Sequence, residues 1–236
     1  MSYGDGIDAA LLAHLRKFDT PTICNALEIA TGARRATGFT RRTMVCPFPA
    51  LAPMVGFART ATLRSAAPSS MSPQSARDLR LRYYEHVAAD GVPTVVAIQD
   101  LDDSLGLGAF WGEVNSKVHR ALGCAGVVTN GAVRDLDVLA DDFPIIAGCI
   151  TPSHAFVRIE AVGCDVDIFG MQVANGDLIH ADRHGAVRID RDAAARLPRA
   201  IEVIVAREKL ILDAATAPGF GVEAIRRAMA DGDDIH

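Results

Sequence analysis

The segment GCAGVVTNGAVRD, residues 123–135, carries the pattern that decides the fold class. Its apolar run 125–129 predicts a buried strand, and the two residues that follow predict a turn. We expect a second helix to begin at 132–135, and the stretch 113–122 predicts a helix that ends at the glycine opening the segment. A helix, a strand and another helix in this order are typical of a layered α/β protein.

The elements on either side extend this pattern. We predict helices over 7–18, 20–32, 73–88, 190–214 and 221–230, and strands over 55–63, 94–98, 144–147, 155–160, 165–168, 171–173, 178–181 and 186–189. Residues 33–54 show no clean period and predict a loop. Because no repeat or linker divides the chain, we expect one domain over 1–236, with a core of about 20–215 and a C-terminal helical extension. The expected fold class is an α/β/α sandwich with a mixed sheet.

Composition excludes several classes of protein. The chain has 236 residues, a net charge of −5, 50% hydrophobic residues and 22% charged residues, which is enough apolar material for a core. Mild acidity argues against nucleic acid as a partner. No apolar run reaches the about 20 residues of a membrane helix, and the start has no pattern of a signal peptide. We therefore expect a cytoplasmic protein with neither a nucleic acid nor a membrane as partner.

Cysteine usage supports the same compartment. The five cysteines are odd in number and form no CxxC pair, which argues against a disulfide framework or a structural zinc site. Reduced thiols in a cytosolic protein are the simplest interpretation.

The glycine loop 106–112 precedes the predicted helix 113–122. Its GxGxxxG spacing departs from the GxGxxG of dinucleotide-binding proteins, and no P-loop motif is present. Backbone N–H groups at a helix start bind anions, and glycines allow a small carboxylate to approach the backbone. The loop is thus either a carboxylate site or a plain flexible connection.

Arg134-Asp135 follows the predicted strand and turn, where ligand sites of α/β proteins collect. A carboxylate there suits a hard divalent cation, and the guanidinium suits a carbonyl or carboxylate oxygen. From residue types alone, a helix-start aspartate beside a surface arginine is the simpler interpretation.

Other polar residues leave two interpretations open. His180, Asp182 and His184 alternate like a metal cluster, but Asp-Arg-His-Gly is also a good turn between strands, which we favour. Trp111 either packs beside the loop or touches substrate, and His154 is equally open. The acidic pairs 102–103 and 141–142 are expected to be solvated.

Taken together, WGEV at 111–114 and GCAGVVTNGAVRD at 123–135 resemble a known signature. The chain is similar to the RraA-like family, whose class II pyruvate aldolases act on 4-hydroxy-4-methyl-2-oxoglutarate and 4-carboxy-4-hydroxy-2-oxoadipate. The family pattern is an acidic residue, twenty residues, then Arg-Asp, and Glu113 with Arg134-Asp135 matches it. GDLIHADRHGAV, residues 176–187, resembles the family's C-terminal strand pair. The resemblance covers about 20–215 and implies a swivelling-domain type of α/β fold.

The resemblance also implies site residues. Asp135 would hold Mg²⁺ or Mn²⁺, and Arg134 would contact the substrate's keto oxygen and the enolate formed from it. Glu113 would help to hold metal-bound water. Glu208 is our candidate for the glutamate that a neighbouring subunit contributes. The carboxylate of the substrate would be bound by backbone amides of the segment Gly112, Glu113, Val114, Asn115 and Ser116.

One family residue has no clear counterpart. The family has a lysine after the Arg-Asp segment, and Arg158 or His154 would take its place here. The resemblance implies a metal-dependent lyase that releases pyruvate from a small 2-oxo acid, with oxaloacetate decarboxylation by the same enolate, in a homotrimer or homohexamer. The alternative within the family is a non-catalytic regulator of a ribonuclease. Because this sequence keeps Asp135, the enzyme is favoured.

Overall fold

The computed structural model describes residues 3–4, 6–88 and 91–235. The strands are β1 Met54–Arg64, β2 Thr94–Asp100, β3 Ala109–Trp111, β4 Cys124–Thr129, β5 Ala132–Val133, β6 Ile145–Ile146, β7 Cys149–Ile150, β8 Arg158–Val162, β9 Val166–Ile168, β10 Met171–Val173, β11 Leu178–Asp182 and β12 Gly185–Ile189. The helices are α1 Ala9–Leu15, α2 Thr20–Thr31, α3 Pro73–Val87, α4 Glu113–Ala121, α5 Arg191–Ala194, α6 Leu197–Thr216 and α7 Val222–Asp233, with a 3₁₀ turn at Leu136–Val138. None of these described helices combines the length and apolar character needed to cross a membrane.

The central sheet is mixed, as predicted. Its strand order is β12-β11-β1-β2-β4-β6, and β8 pairs with the second half of the long strand β1. Strands β1, β2, β4 and β6 run parallel, whereas β8, β11 and β12 are antiparallel to their neighbours. The β-branched run at the start of β2 is fully buried, which is typical of a strand covered on both faces.

Successive side chains of β1 point to opposite faces of the sheet, and the core is divided into layers accordingly. Val55 and Phe57 pack in a cluster with α1, α2, α5 and α6, while Met54 and Ala58 pack on the opposite face against the β9–β10 hairpin. A third cluster places α3 and the side chain of Trp111 over β1, β2 and β4. The α/β class is confirmed, and the second face of the sheet is covered by a hairpin. Since α1 and α6 share one cluster, the described chain ends pack together; the single domain over 1–236 stays a prediction.

A small parallel sheet was not predicted. Its order is β3-β5-β7, and the helix expected to start at 132–135 is wrong, because Ala132–Val133 pairs with a strand on each side. Asp135 then takes a left-handed conformation, with φ +57°, ahead of the 3₁₀ turn. A two-residue strand depends on its neighbours for every hydrogen bond, so local sequence patterns do not reveal it.

Two helix boundaries also differ from prediction. Asp19, not Thr20, caps α2, because its side chain accepts a hydrogen bond from the N–H of Thr22 at 2.9 Å. The long helix predicted over 190–214 is divided into α5 and α6.

Asp102 is buried rather than solvated, so that expectation is wrong. Its carboxylate accepts hydrogen bonds from the N–H groups of Ser65 and Ala66 and pairs with Arg64 at 3.3 Å. These backbone donors hold the pKa of Asp102 below its ordinary value despite the opposing effect of burial. The carboxylate thereby fixes the start of the glycine loop against the end of β1.

Candidate active site

Three segments meet at the carboxyl end of the small parallel sheet. Gly112 follows β3, Arg134 follows β5 and Thr151 follows β7. The N–H of Arg134 donates to the carbonyl of Trp111 at 2.9 Å, and the N–H of Thr151 donates to Val133 at 3.1 Å. Carboxyl ends of parallel strands are where α/β proteins place ligand sites. The topology therefore brings the start of α4 next to the Arg-Asp pair.

Asp135 contacts the first residue of α4. Its Oδ2 accepts a hydrogen bond from the N–H of Glu113 at 3.2 Å, and the Nε of Arg134 lies 3.6 Å from the same oxygen. The side chains of Arg134 and Asp135 are each 34% exposed. Oδ1 of Asp135, the second carboxylate oxygen, accepts no hydrogen bond in the described part of the chain. The pair is therefore ordered by the protein and still open to a small ligand.

Gly112 makes room for this carboxylate. A Cβ at position 112 would lie 2.6 Å from Oδ2 of Asp135 and 3.1 Å from Cγ of Arg134. The φ of Gly112 is −164°, an extended value that any residue adopts. Space, and not backbone conformation, therefore requires glycine here.

Two backbone N–H groups in the first turn of α4 are available to bind a ligand. The N–H of Glu113 is bonded to Asp135, and the N–H of Ser116 donates to the carbonyl of Gly112 at 3.0 Å. The N-cap residue Gly112 has no side chain to accept a hydrogen bond, and among the described residues the N–H groups of Val114 and Asn115 have no protein acceptor. The exposed helix start thus retains donors for a carboxylate.

The side chain of Glu113 pairs with a residue that the sequence analysis missed. Lys117 Nζ lies 2.6 Å from its Oε1, one helical turn away, and both side chains are about half exposed. An acidic residue four positions before a lysine on a helix is the sequence signal that predicts such a pair.

Side chains of the first turn point inward and hold the turn in place. The amide of Asn115 donates to the carbonyl of Phe110 and accepts from the hydroxyl of Tyr84 at 3.0 Å. The hydroxyl of Ser116 donates to the carbonyl of Glu113 at 2.9 Å and accepts from the N–H of Ala140 at 3.0 Å. These two residues therefore position backbone donors, and their own side chains are already engaged.

A buried histidine supports the same helix. His119 is fully buried, its Nδ1 lies 2.6 Å from the carbonyl of Asn115 and its Nε2 lies 2.7 Å from the hydroxyl of Tyr83. Because a carbonyl only accepts, we assign the proton to Nδ1 and the accepting role to Nε2. Burial lowers the pKa of His119 to about 4. Trp111 packs against this ring and is itself fully buried, so the packing interpretation of Trp111 is the right one.

The strand-pair motif is structural. His180 is fully buried, with Nδ1 3.0 Å from the hydroxyl of Thr20 and Nε2 3.1 Å from the carbonyl of Phe18. Asp182 accepts from the N–H groups of Thr20 and His184, so the chain turns here as favoured. Within the described residues, no group of three or more His, Cys, Asp or Glu side chains has the arrangement of a metal site.

Because both histidines are buried, we expect the free energy of unfolding to depend on pH. Burial lowers the pKa of His119 and of His180 from 6.5 to about 4. Between pH 6.5 and about pH 4 these histidines are protonated in the unfolded chain but stay neutral in the folded chain. The free energy of unfolding therefore falls as the pH is lowered through this window. Each histidine contributes a loss of up to ~1.4 kcal/mol per pH unit. Burial raises the pKa of Asp100, which partly offsets the loss near the acid end.

Urea unfolding at pH 7.5, 6 and 5 measures this effect. We expect the free energy of unfolding to decrease at each step, and His180→Gln to reduce the slope while lowering stability at neutral pH. Equal stability at pH 7.5 and pH 5 would contradict the assignment of both histidines as buried and neutral.

Three other predicted residues form no hydrogen bond or ion pair with Asp135 among the described residues. Arg158 on β8 donates to the carbonyl of Ala67 and pairs with Glu160 at 2.6 Å. His154 is exposed, in the connection between β7 and β8. Glu208 is exposed on α6, which packs against α2 and α7. Its side chain is therefore available for contact outside the helix, and its role beside Asp135 stays a prediction.

Comparisons with known proteins identify the family of this chain. The family described as RraA-like, Aldolase/RraA, matches residues 20–188. An uncharacterized protein of Methanocaldococcus jannaschii is 33% identical over 96 residues, which are 40% of this chain and 45% of that protein, so the chain spans under half the length of this relative.

Solved structures share the fold. An uncharacterized protein from Pseudomonas syringae pv. tomato aligns with a TM-score of 0.71 at 22% identity, over 96% of this chain and 97% of that one. Streptomyces coelicolor RraAS2, described as an unusual member of the RNase ES inhibitor RraA protein family, aligns with a TM-score of 0.58 at 23% identity, over 86% and 94%. With the family match spanning most of its length and this shared fold, the chain belongs to the RraA-like family.

Proposed function

We propose that this protein is a divalent-metal-dependent lyase that cleaves a 4-hydroxy-2-oxo acid to pyruvate and a second keto acid. The RraA-like family includes both such aldolases and non-catalytic ribonuclease inhibitors. The observation that carries the proposal is the ordered carboxylate of Asp135, packed over Gly112 with one oxygen free and Arg134 beside it.

Mg²⁺ or Mn²⁺ fits this donor set. A single partly exposed carboxylate that leaves the remaining coordination positions to water and substrate is typical of how proteins bind Mg²⁺. Asp135 would hold the ion, and Glu113 would hold water next to it. The bound ion would supply Lewis-acid polarisation of the 2-oxo acid.

The protein's own groups would position and stabilise the substrate. The free N–H groups of Val114 and Asn115 would bind the carboxylate of the 2-oxo acid, and the guanidinium of Arg134 would donate to the keto oxygen. As the C3–C4 bond breaks, the 4-hydroxyl gives its proton to water and its oxygen becomes the carbonyl of the second keto acid. The electron pair of the broken bond passes into the 2-oxo group, and the negative charge on that oxygen would face Arg134. Protonation at C3 then yields pyruvate.

Two further features of the proposal concern the second half of the substrate. Loss of CO₂ from oxaloacetate produces the same enolate, so we propose oxaloacetate decarboxylation as an additional activity. Glu208 of a neighbouring subunit, in a trimer or hexamer, would complete the site, and Arg158 or His154 would take the place of the family lysine.

A coupled assay for pyruvate tests the proposal. We expect release of pyruvate from a 4-hydroxy-2-oxo diacid or from oxaloacetate with Mg²⁺ or Mn²⁺, loss of activity with EDTA, and recovery when the metal is restored. Activity that is indifferent to EDTA would contradict the metal dependence.

The rival function is regulation of a ribonuclease by binding. Retention of a ribonuclease on the immobilised protein, together with no metal-dependent pyruvate release from a panel of 2-oxo acids, would favour the regulator over the lyase.

A further inference from the structure

A second polar cavity lies at the carboxyl ends of β2 and β4. It has a volume of about 610 Å³ and is lined by Arg41, Arg42, Gln99, Asp100, Asn130 and Phe169, among others. Its size is within the range of small-molecule sites, and this edge of a parallel sheet is a common place for them. We call it the Arg41–Arg42 cavity.

This cavity is distinct from the proposed active site. Asn130 precedes β5, whereas Arg134 and Asp135 follow it, so the two sites lie at opposite ends of that strand. Neither Glu113, Arg134 nor Asp135 lines the cavity.

Two arginines of the cavity wall have guanidinium groups that are not paired with an acidic or acceptor group in the described part of the chain. Among the described residues, the guanidinium groups of Arg41 and Arg42 make no ion pair and donate no hydrogen bond to the protein. Arg42 lies over the ring of Phe169, 5.1 Å from its centroid. Arg41 lies against Gly170, where a Cβ would come 2.1 Å from its Nε. Both arginines are thus placed by neighbouring residues without being neutralised.

Three acidic residues also line this wall: Asp100, Asp102 and Asp167. Most of their carboxylate oxygens already accept hydrogen bonds, although Oδ2 of Asp167 accepts none among the described residues. Asp100 accepts from the N–H groups of Asp102 and Gly106 at 3.0 and 2.9 Å. Asp167 accepts from the N–H of Gly170, and its own N–H donates to the amide oxygen of Gln99 at 2.9 Å. Because this bond uses the amide oxygen of Gln99, its amide nitrogen remains available as a donor. The unused hydrogen-bonding capacity of the wall is therefore mainly that of donors.

The turn that carries Phe169 is strained. Phe169 has φ +51° and Gly170 has φ +89°, so both residues of the β9–β10 turn are left-handed. Asparagine or glycine suits such a position far better than phenylalanine. A strained phenylalanine that supports an unpaired arginine is consistent with a binding role for that arginine.

We propose that the Arg41–Arg42 cavity binds a small organic anion through a carboxylate or a phosphate group. Guanidinium groups match both anions with paired hydrogen bonds. The free donors of Arg41, Arg42 and Gln99 outnumber the free acceptors of the wall, so we expect a ligand that is rich in acceptor atoms.

Isothermal titration of the full chain with inorganic phosphate and, separately, with succinate tests the proposal and distinguishes the two anions. We expect saturable binding of one or both that weakens with added salt. Arg41→Gln and Arg42→Gln should each weaken binding about tenfold or more. Arg77→Gln, an exposed arginine on α3, is the matched control and should bind as the unmodified chain does.

Three outcomes would overturn the proposal. The first is that neither anion shows saturable binding, and the second is that Arg77→Gln weakens binding as much as the other two variants do. The third is that the Arg41 and Arg42 variants change their oligomeric state without a change in binding, which would assign the pair to a contact between copies. Asp135→Asn should leave this binding intact, so failure of the proposed lyase activity is distinguishable from failure of this site.

Discussion

Asp135→Asn is expected to lower kcat for pyruvate release about 1000-fold or more, with the fold retained. Asparagine tolerates the left-handed conformation that the structure has at this position, with φ +57°, and it still offers an oxygen to the N–H of Glu113. The change therefore removes charge with little change in shape. Steady-state kinetics at saturating Mg²⁺ and thermal unfolding measure the two effects.

Metal binding gives this prediction a readout that does not depend on turnover. Titration with Mn²⁺, followed by its electron spin resonance signal, should show a site in the unmodified chain that is lost in Asp135→Asn. The matched control is Asp137→Asn in the adjacent 3₁₀ turn, which should retain both activity and the Mn²⁺ site. Normal turnover by Asp135→Asn would remove the basis of the proposed site.

Gly112→Ala is the second large expected effect, about 100-fold in kcat. The new Cβ would lie 2.6 Å from Oδ2 of Asp135, so the carboxylate must move. Displacement of a reacting group by about 1 Å costs on the order of 100-fold in rate. Because Oδ2 is the end of a mobile side chain and the φ of Gly112 suits any residue, the melting temperature should change little.

Gly221→Ala is the matched control for Gly112. Gly221 also precedes a helix with extended φ, −169°, but no atom lies within 4 Å of the Cβ that alanine would add. We expect unchanged kinetics for this variant. Equal losses in the two variants would indicate a general effect of replacing glycine before a helix, and full activity of Gly112→Ala would show that the position of Asp135 is not critical.

Elements with many residues and a strong period were predictable. The long strand β1, the buried strand β2 and helix α1 lie where their apolar patterns placed them, within a few residues. Each of these elements buries a continuous apolar face, which the sequence records locally. The turn at Asp182–His184 was predictable for a similar reason, because its turn residues are local.

The strands of the small parallel sheet were not predictable. Strand β5 has two residues and exists because β3 and β7 supply its hydrogen-bond partners, from 109–111 and 149–150. Asp102 was expected to be solvated, yet its carboxylate is buried by donors at Ser65 and Ala66, more than thirty residues away. The hydrogen-bond partners of β5 and of Asp102 are distant in the sequence, so the residues next to them do not reveal these contacts.

The sequence by itself determined which chemical groups the candidate site has to use: an acidic residue, twenty intervening residues, and Arg134-Asp135. Only the tertiary structure decided how they are arranged. It placed Gly112 beneath the carboxylate of Asp135, engaged the amides of Glu113 and Ser116, and left Glu208 exposed on α6, which packs against α2 and α7. The physical reason is that whether a donor or a charge is free depends on the groups around it, and most of those groups are distant in the chain.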